Sequence, residues 1–498
     1  MWKTGDNIYA NKVQVIAGPD KTLQRPENGI KCAKSRAKWG EHMEGQTIVA
    51  VATPPGQGGI AVVRLSGPKS VEIASKIFVP QNARRIINKM PGYTAAYGEI
   101  RHLDRRVDDG VLLLFRAPAS FTGEDVVELS CHGGTAVTGA VLEACVHAGA
   151  QPAGPGEFTR RAYENGKLSL TQAEAVMELV SAEGRQAASL AGDGLAGALH
   201  RTVLGTKERL VTLAGHLAAY VDYPEEDVEE LTEGRFLQVV ETERKNLENM
   251  INGYQRGMVL RQGVRAAIVG SPNVGKSTIF NLLAGFDRSI VTQVAGTTRD
   301  VVREQVQIGG ILLHLADTAG LHETEDVVEQ EGIRRSGREL EQASLVIAVF
   351  DGSQPFGEQE RQLAEQCAGR LALGVVNKND LPQIIDENTL NNAFKKLVFI
   401  SALDDKSVET LENAIWELLE IAPAQAGSEL IANQRQLAAA VEARDALAEA
   451  QAALAAGYSL DAAGVCLDDT LQALARLSGE DVSEAVIEEV FSKFCVGK

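Results

Sequence analysis

The chain has 498 residues, a length that suits about two to four domains. Its 44% hydrophobic and 23% charged content is that of a packed globular protein, and its net charge of −18 excludes a surface that draws nucleic acid by bulk charge. Six cysteines form no CxxC or metal-finger spacing and read as reduced cytosolic thiols, while no apolar run approaches the roughly 20 residues that span a bilayer.

Residues 1–42 are basic, yet they lack both an apolar signal core and an amphipathic period. They read as a disordered or spurious extension, with the working protein starting near Met43 and residing in the cytoplasm. From Gln46 to about Phe158 the pattern is mixed α/β. "TIVAVAT", "GIAVVRLSG", "DDGVLLLFRAP" and "DVVELSCHGG" predict strands; "SVEIASKIF" and "GTAVTGAVLEACVHAG" predict helices. "QPAGPGEFT" reads as a Gly/Pro loop closing this unit.

From Arg160 to about Gly257 the chain is rich in Ala, Leu and Glu, with apolar residues every three or four positions, which predicts long helices interrupted at "DYPEED". From Val264 to about Ile421 strands alternate with helices ("VRAAIVG", "ILLHLADT", "SLVIAVF", "LALGVVNK", "KLVFISA"), the pattern of a parallel, doubly wound sheet. After "APAQAGS" the helical texture returns and runs to Phe494, ahead of a terminal "CVGK". The economical arrangement is one helical domain built from both helical stretches, with the α/β unit inserted between them.

"GSPNVGKST" follows the strand "RAAIVG" and precedes the helix "TIFNLLAG", the setting a phosphate-binding loop requires. Its glycines let backbone N–H groups curl round phosphates at a helix N-terminus. Lys276 adds a point charge, and the Ser277 hydroxyl is placed for Mg²⁺. The pattern alone also occurs as a structural turn, but three more segments follow in order. "AGTTRD" offers Thr298 as a switch threonine. "DTAG" offers Asp317 behind the metal and the Gly320 N–H for the γ-phosphate. "NKND" offers the Asp380 carboxylate to the N1–H and N2–H pair of guanine, with "SAL" (Ser401, Ala402, Leu403) adding a backbone contact. Together they predict a GTPase. Leu321 stands where Ras-type enzymes hold a water-orienting Gln, so another group must position the water. Asn273, inside the loop, reads either as a turn residue or as a ligand for a monovalent cation.

"TIVAVATPPGQGGIAVVRLSG", "SFTGEDVVELSCHGG", "PGEFTRRAYENGKLSLTQAEA", the GTPase motifs and the terminal "CVGK" together resemble the MnmE (TrmE) family, from about Met43 to Lys498. The resemblance implies an α/β multidomain fold: an N-terminal α/β folate-binding and dimerisation domain (43–160), a discontinuous all-helical domain (161–258 and 424–498) and an inserted Ras-like P-loop GTPase domain (259–423). It implies a homodimer that works with an FAD-bearing MnmG partner, in a heterotetramer or larger complex. That complex installs a (carboxymethyl)aminomethyl group at C5 of the wobble uridine of certain tRNAs, using a 5-formyl- or methylene-tetrahydrofolate unit. No membrane is involved.

The family's nucleotide contacts fall on Asn273, Val274, Gly275, Lys276, Ser277, Thr278, the run Thr292, Gln293, Val294, Ala295, Gly296, Thr297, Thr298, then Asp317, Thr318, Ala319, Gly320, and Asn377, Lys378, Asp380. Ser277 and Thr298 correspond to Mg²⁺ ligands; Asn273, Thr292, Val294 and Thr297 to K⁺ ligands; Glu329 to the water-positioning glutamate. Arg64, Glu128, Lys167 and Lys498 correspond to the folate pocket, and Cys495 to a reactive thiol on the tail. Taken singly, Arg64 reads as a surface residue, Glu128 as a strand-edge charge and "CVGK" as a frayed end. Gln57, Ser130 and Gly154 depart from the common family residues, as does the extension 1–42. The G motifs alone are equally those of a regulatory switch that binds ribosomal or protein partners. The tail and the "TPPG…RLSG" region separate the two readings, because a plain switch needs neither.

Overall fold

The computed structural model describes residues 45–222, 232–286, 304–315, 343–420 and 430–498. The extension 1–42, most of "DYPEED", and the segments holding Thr292–Thr298, Asp317–Leu321 and Glu329 lie outside the described residues.

The first unit is a seven-stranded sheet made of β1 (Ile48–Val51), β2 (Ala61–Ser66), β3 (Phe78–Pro80), β4 (Thr94–His102), β5 (Arg105–Phe115), β6 (Val126–Cys131) and β7 (Gln151–Pro152), in the order β3-β4-β5-β6-β2-β1-β7. Helices α1 (Ser70–Ile77) and α2 (Thr135–His147) join its core, which includes Val63, Leu65, Ile73, Leu129 and Val141. Because strand side chains alternate, burial of Val127, Leu129 and Cys131 puts Glu128 and Ser130 on the opposite face of β6. The same alternation in β2 buries Val63 and Leu65 and puts Arg64 beside Glu128.

Strands β3, β4 and β7 are absent from the sequence expectation. "TAAYGEIRH" has few large apolar residues and is a strand because it pairs along the whole of β5. "QPAGPGEFT", expected as a loop, instead contributes β7, parallel to β1, and the start of helix α3 (Glu157–Glu164). Pro152 is tolerated there because β7 is an edge strand.

Helices α4 (Leu170–Ser181), α5 (Arg185–Leu195), α6 (Ala198–Asp222) and α7 (Glu233–Gln262) follow. Helix α4 begins with a capping box, in which the Ser169 hydroxyl accepts from the Gln172 N–H and the Gln172 side chain accepts from the Ser169 N–H.

Helix α7 leads directly into the second sheet: β8 (Val264–Val269), α8 (Lys276–Phe286), β9 (Glu304–Ile308), β10 (Ile311–Leu315), β11 (Leu345–Asp351), α9 (Glu358–Cys367), β12 (Ala372–Asn377), α10 (Glu387–Ala393), β13 (Lys396–Phe399) and α11 (Ser407–Leu418). The order is β13-β12-β11-β8-β10-β9, parallel except for β9. In β11, Leu345, Ile347 and Val349 enter one core while Val346, Ala348 and Phe350 enter another on the opposite face. Burial on both faces is why this strand reads as an unbroken apolar run. Strand β9 ("EQVQI") escapes the apolar pattern. Gly309 and Gly310, both at positive φ, turn it into β10, and this Gly-Gly pair was its available signal.

Helices α12 (Gln434–Ala455), α13 (Leu460–Ser478) and α14 (Glu484–Ser492) complete the chain. One core takes Leu210, Val240 and Leu247 from before the insertion and Ala443, Leu467 and Leu474 from after it, so the helical unit is discontinuous in sequence, as expected. Buried Glu174 joins the two parts: it accepts from Arg435 Nε and Nη2, each at 2.8 Å, and from Gln436 Nε2 at 2.7 Å. Glu174→Ala strands a buried amide and removes the guanidinium's partner. It is expected to cost about 2 kcal/mol, read as a lower urea midpoint for the helical signal. Among the described residues no helix is long and apolar enough to cross a membrane.

Candidate functional site

The phosphate loop spans the end of β8 and the start of α8. Gly270 and Gly275 have positive φ, and a Cβ on either would lie 2.4 Å from the Val349 carbonyl oxygen or 2.2 Å from Asn377 Nδ2, so only glycine fits. Lys276 Nζ donates to the carbonyls of Gly270 at 2.9 Å and Ser271 at 2.8 Å, which holds the ammonium across the loop. Burial pulls this amine below the usual lysine range. Ser277 and Thr278 follow on the first turn of α8, and Asn273 stands exposed at φ 63°.

Asn377 braces the nucleotide end. Its amide donates to the Val274 carbonyl at 2.8 Å, and its side-chain oxygen accepts from the Ala402 N–H at 2.9 Å. Both ends of the amide are therefore committed to loops, while Asp380 stands exposed three residues on. Lys378 donates to Asp351 Oδ2 at 2.6 Å. Burial raises the Asp351 pKa, but hydrogen bonds from Lys378 and Ser353 outweigh that and hold the carboxyl below its usual range. Beside these loops opens a groove of about 480 Å³ lined by Asp380, Ser401, Leu403, Lys406 and Ser407. Bracing by Asn377 was not legible in sequence, because it depends on three loops meeting at one strand end.

A second constellation lies on the first sheet. Arg64 and Glu128 are register partners on β2 and β6; Arg64 Nε donates to Glu128 Oε1 at 2.8 Å, and Nη2 lies 2.8 Å from the same oxygen as an ion pair. The guanidinium lies over the Phe158 ring, 5.8 Å from its centroid. Phe158, on the first turn of α3, went unnoticed in the sequence, though "GEF" beside a helix start was the signal.

The C-terminal tail docks here. The Gly156 N–H donates to the Cys495 carbonyl at 3.3 Å, the Phe158 N–H donates to the Lys498 carbonyl at 3.2 Å, and Pro155 bridges to Val496. Gly497 has φ 98°, and a Cβ there would lie 2.5 Å from the Val51 carbonyl oxygen at the end of β1. Phe491 and Phe494 anchor the tail on Leu170, Ala173 and Val176 of α4. The tail thus meets the segment whose Phe158 stacks on Arg64. Lys167 Nζ donates to the Pro118 carbonyl at 3.1 Å, on the loop that joins β5 to β6.

Cys495 is exposed, whereas Cys131, Cys145 and Cys367 are buried. Burial pushes Cys145 up to about 12 and Cys367 up to about 11. Both shifts favour the protonated thiol over the nucleophilic thiolate.

A family model described as "MnmE helical domain" matches residues 170–495, and one described as "GTP-binding protein TrmE N-terminus" matches residues 47–167. The chain is 38% identical over 461 residues to the tRNA modification GTPase MnmE of Geobacillus kaustophilus, covering 91% of this chain and 100% of that protein. It is 36% identical over 460 residues to the protein of that name from Acetivibrio thermocellus, covering 91% and 99%. A solved FeoB G-domain from Methanococcus jannaschii is 29% identical and covers 32% of this chain and 98% of its own, at a TM-score of 0.23, too low to carry a statement about fold.

Proposed function

Because the chain belongs to the MnmE family and is a GTP-hydrolysing enzyme of tRNA modification, we propose that hydrolysis at Lys276 serves C5 modification of the wobble uridine with a tetrahydrofolate one-carbon unit. The observation that carries this reading is the tail docked against the segment whose Phe158 stacks on Arg64. A plain switch GTPase has no use for such an arrangement. The working units are residues 43–160, 161–258 with 424–498, and 259–423, in a cytoplasmic homodimer paired with an FAD-bearing MnmG protein. The −18 charge favours that partner as the source of most phosphate contacts to tRNA.

Lys276 exchanges its two loop carbonyls for the β- and γ-phosphates, and the N-terminus of α8 adds its dipole. The donor chemistry fits the ions. Hydroxyls of Ser277 and Thr298 suit Mg²⁺, while the Asn273 amide oxygen, with oxygens of Thr292, Val294 and Thr297, suits the larger, more loosely hydrated K⁺. Bound there, the ions would supply charge neutralisation at the phosphates. Glu329 holds the attacking water in place of the Gln that Leu321 replaces. The nucleotide contacts also include Gln293, Ala295, Gly296, Thr297, Asp317, Thr318, Ala319 and Gly320.

At the other site, Arg64 and Glu128 present a donor and an acceptor to a pterin edge, while Lys167 and Lys498 supply charge for folate carboxylates. Cys495 brings an exposed thiol on the same tail as Lys498.

GTP hydrolysis is expected to run faster in KCl than in NaCl at equal ionic strength, and wobble-uridine nucleosides from a strain lacking the protein should lose the C5 substituent. Equal rates in the two salts would remove the cation role of Asn273, and unchanged nucleosides would remove the modification reading.

A further inference from the structure

Arg161 lies on α3 and is 4% exposed, yet none of the nucleotide or folate roles uses it. Its Nη1 donates to the Gln46 carbonyl at 2.9 Å and to both Glu124 oxygens at 3.2 Å, and its Nη2 donates to Glu157 Oε1 at 2.8 Å. Each carboxylate is held in turn. Glu157 Oε2 accepts from the Gly154 N–H at 2.8 Å, and Glu124 Oε2 accepts from the Ser66 hydroxyl at 2.6 Å. One guanidinium therefore ties three segments together: the lead into β1, the loop between β5 and β6, and the turn before α3.

Two of those segments are receptors. The turn before α3 takes the tail through Pro155, Gly156 and Phe158, and the loop between β5 and β6 holds Lys167 through Pro118. Stability alone gives little reason for this arrangement. Arg161 Nε is buried with no partner among the described residues, and an apolar side chain commonly replaces a buried ion pair without loss. What an apolar residue cannot do is hold Glu124 and Glu157 on either side of one planar fork.

We propose that Arg161 is a positioning residue of the tail pocket: it sets the spacing between the segment that seats Cys495–Lys498 and the loop that holds Lys167. The proposal rests on the folate reading above. Without the guanidinium the two carboxylates repel, the Gly154–Phe158 turn moves away from the loop between β5 and β6, and the tail loses its seat. The nucleotide end of the molecule does not touch this network, so basal GTP hydrolysis is unaffected.

The test uses 5-formyltetrahydrofolate binding and hydrogen exchange at the tail's seat, read at the Gly156 and Phe158 amides that donate to it, in five full-length or truncated proteins: unaltered, Arg161→Met, Arg161→Lys, a chain ending at residue 494, and that truncation combined with Arg161→Met. Arg161→Met should weaken folate binding about tenfold, the order of loss that partners orienting a ligand-binding group carry at metal sites. It should also speed exchange at Gly156 and Phe158, leave GTP hydrolysis within about twofold, and add nothing to the truncation. Arg161→Lys keeps the charge without the fork and should fall between, and it reads the same quantities if Arg161→Met does not fold. Unchanged exchange at those two amides in the variants, or losses that multiply in the combined protein, overturn the positioning role. Unchanged folate affinity in the truncated chain overturns the folate role of the tail instead, and exchange at the same amides in Arg161→Met then still decides whether Arg161 seats it.

Discussion

Lys276→Ala is expected to lower the GTP hydrolysis rate on the order of 10²–10³-fold, the usual consequence of removing one preorganised donor from a developing negative charge. The ammonium is already positioned before any phosphate arrives, held by the carbonyls of Gly270 and Ser271. Its half-buried setting makes the charge expensive unless an anion compensates it. The variant should fold, because both carbonyls face the loop's own concavity and regain partners from water. Melting temperature measured beside single-turnover GTP hydrolysis checks this: a folded variant with a normal rate would remove Lys276 from the nucleotide site.

Asp380→Asn is expected to change which base is accepted rather than simply to weaken the site. A carboxylate accepts both guanine N–H groups, whereas an amide accepts one hydrogen bond and offers a donor that guanine does not match. GTP affinity should fall on the order of 10³-fold, less than a fully buried polar pair would give, because Asp380 stands exposed. Xanthosine triphosphate, with a carbonyl where guanine carries its amino group, should become the better substrate. That gain separates base reading from general damage. If the variant keeps its preference for GTP, the base is read elsewhere, and Asn377 is a poor candidate because both ends of its amide are already engaged by Val274 and Ala402.

Both predictions target groups proposed to meet the nucleotide. The loops that carry Lys276 and Asp380 are held in turn by Asn377, Lys378 and Asp351. A loop between strands has little stability of its own. These side-chain braces do for the nucleotide end what Arg161, Glu124 and Glu157 do for the tail pocket.

Legibility followed the range of the interactions. The glycines of the phosphate loop, the apolar run of β11 and the three-and-four spacing of α6 and α7 each record a local constraint, so each can be read within a dozen residues. Strands β4 and β9 were not read this way: β4 has two large apolar side chains in nine residues, the Val306/Ile308 alternation of β9 falls within a strand of only five, and both exist because a neighbour supplies the hydrogen bonds. The turn before α3 was misread as plain loop for the same reason: β7 is a strand only against β1.

The sequence by itself determined the GTPase chemistry, the fold class and the family, because phosphate binding and sheet winding demand particular residues at short, regular spacings. Only the tertiary structure decided that Cys495–Lys498 lies against residues 155–158, that Arg64 is clasped by Glu128 and covered by Phe158, and that buried Arg161 reaches Gln46 and Glu124 on distant segments. Those contacts join residues separated by tens to hundreds of positions. Their strength depends on burial and register, which a linear pattern does not encode.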